Sequence, residues 1–305
     1  MQVVNFIFRQ TDSYFISVDS FLYFLIMSTQ TEMNYLEIDA SLVSKVLEQF
    51  LTEEVQKSGF DRVVFGLSGG LDSTIVAYLC ARAFQPKQVT ALIMPYKTSN
   101  PQNIADAEKV AQQLKLNYET HDISKIVDVF FENDSEADNN RRGNRMARER
   151  MCLIYDCSAK YKALPIGTSN KTELLLGYGT IFGDLASAIN PIGDLYKSQV
   201  RQLGSFLGVS EAILSKQPSA DLWEGQTDED ELGYSYNDLD RLLYYLVDRR
   251  YSEEMLTDLG LPKKMIRNVQ LRIQKSQFKR RPPVIAKLSN RTINQDFRYC
   301  RDWGV

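Results

Sequence analysis

The chain has 305 residues, 44% of them hydrophobic and 25% charged, ordinary proportions for a globular protein with material for one large domain or two small ones. A formal net charge of -3 offers no general basic surface for a nucleic acid or an anionic membrane. The four cysteines (Cys80, Cys152, Cys157 and Cys300) include no CxxC pair, which argues against a disulfide framework or a zinc site and for buried, reduced thiols in a cytoplasmic setting.

At the N-terminus, Phe15 to Met27 is apolar apart from Ser17, Asp19 and Ser20, too short to span a bilayer and interrupted for a signal peptide. Periodic structure begins near Tyr35. Residues 1–33 are therefore expected to be an extension outside the fold, with translation starting at Met27 or Met33, and residues 34–305 to form a single domain. From Leu36 to Lys57, Leu42, Val43, Val46, Leu47, Phe50, Leu51 and Val55 keep helical spacing, and Gly59 is a stop signal. A β-branched strand at Arg62–Phe65 leads into a glycine turn and a helix from about Asp72 to Phe84. Val89–Met94 reads as a second buried strand ended by Pro95, Asn103–Leu114 as an amphipathic helix, and Asn117–His121 as a third strand. The polar Asn133–Asn140 reads as a surface loop, Arg142–Tyr161 as a long helix, Ala163–Ile166 as a fourth strand, and Lys171 onward as another helix. Alternating strands and helices predict an α/β fold, a parallel twisted sheet with helices on both faces. Ligands of such sheets sit beyond the carboxyl ends of the strands, where Gly66–Ser73, Pro95–Asn100 and Gly167–Glu173 all fall.

The turn Gly66-Leu67-Ser68-Gly69-Gly70-Leu71-Asp72-Ser73 admits two chemistries. Its G-x-S-x-G spacing matches a hydrolase nucleophile elbow, which needs a histidine following the acid in the chain. The only histidine is His121, read as a loop residue making local hydrogen bonds, and the hydrolase reading fails on it. As a phosphate cradle the turn works better. Small residues leave the backbone N–H groups open to an anion, a helix N-terminus adds its positive end, and Ser68 and Ser73 add hydroxyls. Asp72 would repel a phosphate unless a cation lay between them, which makes it a sensible Mg²⁺ ligand. Its bland alternative, a helix N-cap, leaves the preceding Ser-Gly-Gly without a role.

Ser-Gly-Gly-x-Asp-Ser after a buried strand resembles the pyrophosphate loop of the N-type ATP pyrophosphatases, an adenine-nucleotide alpha-hydrolase-like, Rossmann-like group that transfers AMP. Five later segments narrow the resemblance: Gly143-Asn144-x-x-Ala147-Arg148-x-Arg150-Met151, Gly167-Thr168-Ser169-Asn170-Lys171-Thr172-Glu173, Phe182-Gly183-Asp184, Asp194-Leu195-Tyr196-Lys197 and Pro218-Ser219-Ala220-Asp221-Leu222. In that order they resemble ammonia-dependent NAD synthetases over roughly Leu36 to Gly304.

The resemblance implies conversion of deamido-NAD to NAD with ATP and ammonia through an adenylated intermediate, in a homodimer that shares its dinucleotide site across the interface. By correspondence, Gly66–Ser73, Thr168, Lys197 and Ser219 bind ATP, Asp72 and Glu173 hold Mg²⁺, Asp72, Glu173 and Lys197 carry catalysis, and Arg148, Asp184 and Lys279 contact deamido-NAD. Ser219–Tyr234 resembles a loop that closes over the intermediate. Ile181, Ala188 and Phe278 depart from the lysine, aspartate and histidine common in relatives at those places. Two rivals stay open: another ATP pyrophosphatase such as a tRNA-modifying enzyme, and a non-catalytic adenine-nucleotide-binding module.

Overall fold

The computed structural model describes residues 35–223, 225–293 and 296; the expected N-terminal extension and Cys300 lie outside the described residues. One unit spans Leu36–Arg280 and contains all the regular structure discussed below. The described part of the other, from Arg281, carries no helix, and an ion pair joins its Lys287 to Asp296.

Helix α1 (Ala40–Lys57) is capped by Asp39, whose carboxylate accepts from the Leu42 N–H. Strand β1 (Val63–Gly66) leads through the glycine turn into α2 (Leu71–Ala83). Then follow β2 (Val89–Ile93), α3 (Pro101–Gln113), β3 (Asn117–Thr120), α4 (Ser124–Phe130), α5 (Asn139–Tyr161) and β4 (Leu164–Pro165). The later elements are α6 (Lys171–Leu176), α7 (Lys197–Leu207), α8 (Glu211–Leu214), α9 (Asp228–Leu232), α10 (Tyr236–Leu243), α11 (Glu253–Asp258) and α12 (Lys263–Lys275), with a π-helical turn at Tyr244–Asp248.

The described strands form one parallel sheet in the order β3-β2-β1-β4. Alternate residues of its central strands serve opposite faces. Val63 and Phe65 of β1 pack with Val89 and Ala91 of β2 against α1, α2, α3 and α7, whereas Val64 and Leu92 pack with Val127 of α4 and with Met146 and Cys157 of α5. Both faces are covered, as the buried β-branched runs predict. A further core ties Leu176 of α6 and Tyr196 to α9–α12, in a helical layer with no strand of its own. After β1 the chain builds outward to β2 and β3 and then returns to the other side of β1 as β4. The loops leaving β1 and β4 therefore part on either side of a crevice, the usual ligand position of such sheets.

The strongly periodic segments lie where the sequence places them, and the differences have local causes. The expected loop Asn133–Asn140 ends in helix, because Asp138 accepts from the Arg141 N–H at 2.7 Å and starts α5 at Asn139. Helix α4 had no periodic signal, being seven residues long with Ile126, Val129 and Phe130 exposed. The acidic stretch 219–234 contains α9, begun by the Thr227 cap. Cys80 and Cys157 are buried as expected, but Cys152 is exposed on the outer face of α5. No helix among the described residues is long and apolar enough to cross a membrane.

Candidate active site

A cavity of about 1220 Å³ opens at the carboxyl edge of the sheet. Its walls include the glycine turn, the segment after β2, Gly167–Ser169 after β4, and residues 216–223.

The turn is held by its own serines. The Ser73 hydroxyl accepts from the Ser68 N–H at 3.1 Å, lies 3.0 Å from the Ser68 hydroxyl and donates to the Gly70 carbonyl at 3.2 Å. The Ser68 hydroxyl also accepts from the Gly70 N–H at 3.2 Å. No imidazole takes part. The His121 ring bonds Glu119 at 2.8 Å, and His121 does not line the cavity, so the elbow reading has no base. Glu119, His121 and Cys157 do bring ligand-type atoms within 4.8 Å of one another, but Tyr161 and Lys160 already satisfy the Glu119 carboxylate.

Gly69 is held at φ +79°, and a Cβ there would lie 2.0 Å from the Asn103 carbonyl oxygen, so only glycine fits. Gly69 is absent from the cavity wall; its carbonyl turns away to accept from the Lys216 ammonium at 3.0 Å. Lys216 also bonds Asn103 Oδ1 at 2.8 Å and Asp106 Oδ2 at 2.6 Å, bracing the turn against α3.

Gly70, not Asp72, is the N-cap of α2. Asp72 occupies the first turn and is free for another task. Its carboxylate accepts from Asn170 Nδ2 at 3.0 Å and bonds the Lys197 ammonium. Glu173 reaches the same place through a capping box. Asn170 Oδ1 accepts from the Glu173 N–H at 3.0 Å, and Glu173 Oε2 accepts from the Asn170 N–H at 3.3 Å. Glu173 Oε1 stands 3.6 Å from Lys197 Nζ. Thus Asp72, Glu173 and Lys197, taken from three segments, converge as the motif order implies. Asp228 adds another buried carboxylate, bonded by the hydroxyls of Tyr178 and Tyr236 at 3.0 Å each.

The electrostatics are unbalanced toward acid. Burial, and next the charge of Asp72, push the Glu173 carboxyl up to about 8. Burial also raises Asp228. Burial works against the Lys197 charge, but Asp72 and Glu173 outweigh it and raise its pKa. One buried ammonium thus faces several carboxylates, a donor set that would accept a divalent cation with a phosphate beside it.

Thr168 and Ser219 line the same cavity. Asp184 and Lys279 lie on its wall as well; Asp184 accepts from the Thr180 N–H at 2.8 Å, and Lys279 donates to the carbonyls of Gly177 and Gly179. Arg148 is exposed on α5 and does not line this cavity. Its neighbour Arg150 does, donating Nε–H to the Met94 carbonyl at 2.9 Å. The sequence motifs contain Arg150 and Asn170 but gave neither a role of its own, and Lys216 lies outside them. The Asn170–Glu173 spacing was readable as a cap, whereas Arg150 and Lys216 depend on how α5 and the chain after α8 meet the sheet edge. Asp221 fastens residues 219–223 to that edge, accepting from the Asn100 N–H and Asn103 Nδ2, each at 3.0 Å.

A family model described as NAD synthase matches residues 43–283. The NH(3)-dependent NAD(+) synthetase of Trichlorobacter lovleyi is 51% identical over 272 residues, covering 89% of this chain and all of that one. Among solved structures, the NH3-dependent NAD synthetase from Campylobacter jejuni in complex with the nitrate ion is 39% identical, with TM-score 0.71, over 82% of this chain and 100% of that one. The NMN synthetase from Francisella tularensis is 32% identical, with TM-score 0.73, over 82% of this chain and 99% of that one.

Proposed function

The chain belongs to the NAD synthase family, and on that premise we propose that it amidates deamido-NAD to NAD with ATP and ammonia, releasing AMP and pyrophosphate. The observation that carries the reading is the convergence of the glycine turn, Asp72, Glu173 and Lys197 on one cavity at the sheet's carboxyl edge.

The nicotinate carboxylate attacks the α-phosphorus of ATP and pyrophosphate leaves; ammonia then attacks the acyl carbon and expels AMP. No side chain serves as nucleophile. The N–H groups at the start of α2 and the hydroxyls of Ser68 and Ser73 receive the departing pyrophosphate, with Thr168 and Ser219 flanking the nucleotide. Lys197 supplies fixed positive charge to the phosphates, and Asp184 and Lys279 line the place assigned to deamido-NAD. Mg²⁺ fits the acidic end of the cavity, where Asp72 and Glu173 would hold it; when bound it would neutralise phosphate charge.

Arg148, Cys152 and Tyr155 form an exposed stripe of α5, and the half-buried Arg145, paired to Glu149, lies between it and the exposed Ile126, Val129 and Phe130 of α4. The Arg145 guanidinium stacks over Phe130 at 4.4 Å. We assign this apolar, arginine-edged face to a homodimer, in which Arg148 would serve a dinucleotide bound across the interface. A cytoplasmic location belongs to the same proposal.

A second reading changes only the nucleotide, to nicotinate mononucleotide. It is favoured by the position of Arg148 outside the cavity and by similarity to a structure described as an NMN synthetase. Assays of AMP release with ATP, Mg²⁺ and ammonium test both readings, using deamido-NAD, nicotinate mononucleotide, xanthosine monophosphate or aspartate as acceptor. The proposal expects the highest kcat/KM with deamido-NAD. Preference for the mononucleotide would transfer the assignment to the second reading, and turnover only with the last two acceptors would defeat both.

A further inference from the structure

Two of the converging side chains stand at the starts of separate helices, Glu173 on α6 and Lys197 on α7, and neither helix fixes the other by sequence proximity. A third element joins them. Asp240, on α10, is fully buried, and so is Thr172. The Thr172 hydroxyl donates to Asp240 Oδ1 at 2.6 Å and accepts from the Lys197 N–H at 3.1 Å. The other carboxylate oxygen accepts from the Ser198 N–H at 2.8 Å. One carboxylate and one hydroxyl thus satisfy the first two N–H groups of α7, which have no partner within the helix, and anchor the residue preceding Glu173.

Neither Asp240 nor Thr172 lines the cavity. Flanking contacts run in the same direction. Asp248, in the π-helical turn after α10, accepts from Lys171 Nζ at 2.8 Å and from the Tyr196 hydroxyl at 3.0 Å, gripping the residue just before each of Thr172 and Lys197. The helical layer therefore holds both helix starts by polar bonds, buried at Thr172 and more exposed at Asp248, as well as by apolar packing.

We propose that Asp240 and Thr172 are positioning residues that set Lys197 and Glu173 relative to each other, and that the helical layer's part in the site is to hold this register. The inference rests on the proposed role of Asp72, Glu173 and Lys197, but its geometric content is separate. Outer partners of this kind commonly control affinity or activity by about 10–100-fold without touching the ligand. The threonine is needed for its hydroxyl, which donates and accepts at once; valine fills the same volume and does neither.

The test compares Asp240→Asn, Thr172→Val and Thr172→Ser in the full chain by two readouts. The first is amine labelling of folded protein with acetic anhydride, followed by mass spectrometry at Lys197. The second is Mn²⁺ affinity in the presence of ATP, by electron paramagnetic resonance, together with kcat and KM. Asp240→Asn and Thr172→Val are expected to raise Lys197 labelling about 10-fold, weaken Mn²⁺ about 10-fold and lower kcat more than they alter the KM for deamido-NAD. Thr172→Ser should return all three to within about two-fold of the parent. Unchanged Lys197 labelling in both disruptive variants, or no rescue by serine, overturns the proposal. If labelling rises while the parent protein neither binds Mn²⁺ with ATP nor turns over, positioning stands and the functional reading falls.

Discussion

The ammonium of Lys197 bonds the carboxylate of Asp72 across 125 positions of sequence, and on its other side the Glu173 carboxylate lies 3.6 Å away. Lys197 thus balances carboxylates that burial leaves little solvent to screen, their side chains being 18% and 16% exposed against 5% for the lysine. Replacing it by methionine keeps the length and removes the charge. Lys197→Met is expected to lose about 3–5 kcal/mol of unfolding free energy, because it leaves buried carboxylates with hydrogen bonds from Asn170 but no cation to balance their charge. Mg²⁺ should raise the variant's Tm more than the parent's, by supplying the missing charge. Equal Mg²⁺ shifts in calorimetry would argue against a cation site at these acids.

Asp72→Asn should leave the fold intact, since Gly70 caps α2 and Glu173 remains beside Lys197. Release of AMP from ATP should fall at least about 100-fold, near 2.7 kcal/mol of transition-state stabilisation. Circular dichroism alongside a pyrophosphate-release assay separates the two effects. Near-parental turnover would remove Asp72 from the chemistry.

The brace behind the glycine turn has a pH signature. Burial of Asp106 favours its neutral form, but bonds from Lys216 and Gln102 outweigh this and hold the carboxyl below the ordinary range. The unfolded chain therefore binds more protons than the folded one around pH 4 and below. The stabilisation is present above that pH and fades as pH falls through the folded-state value. Asp106→Asn should be less stable than the parent by about 1–2 kcal/mol at pH 7, with the gap closing under acid. Urea titrations from pH 7 to pH 3 measure it; a constant gap would place the effect elsewhere.

Gly69→Ala meets both a positive φ and a backbone oxygen 2.0 Å away. The variant is expected to lose about 2 kcal/mol or more. The KM for ATP should rise as the turn shifts from α3, and thermal denaturation with ATP titration reads both. A parental KM together with a lowered Tm would confine Gly69 to folding.

Much of the parallel sheet was legible because the signals are local. Val63–Gly66 and Val89–Ile93 are apolar runs bounded by turn residues, and a strand serving two cores has no polar face to blur the pattern. Helix α4 escaped because a seven-residue segment with its large apolar residues exposed carries no such period. In the site, the glycine turn was read from its short spacing, whereas the Asn170–Glu173 cap, equally local, was not. The exposure of Arg148 and the entry of Arg150 into the cavity were not legible, because two residues on one helix face differently only once the helix is seated.

By itself the sequence determined that a strand ending in Gly66-Leu67-Ser68-Gly69-Gly70 would open a phosphate-type cradle at a helix start, since small residues and helix N–H groups act within a few positions of one another. Only the tertiary structure decided which charges meet there. Coulombic and hydrogen-bonding terms act over a few ångströms, and the packing of α6, α7 and α10 carries Glu173, Lys197 and the Asp240 anchor across wide sequence gaps to that range.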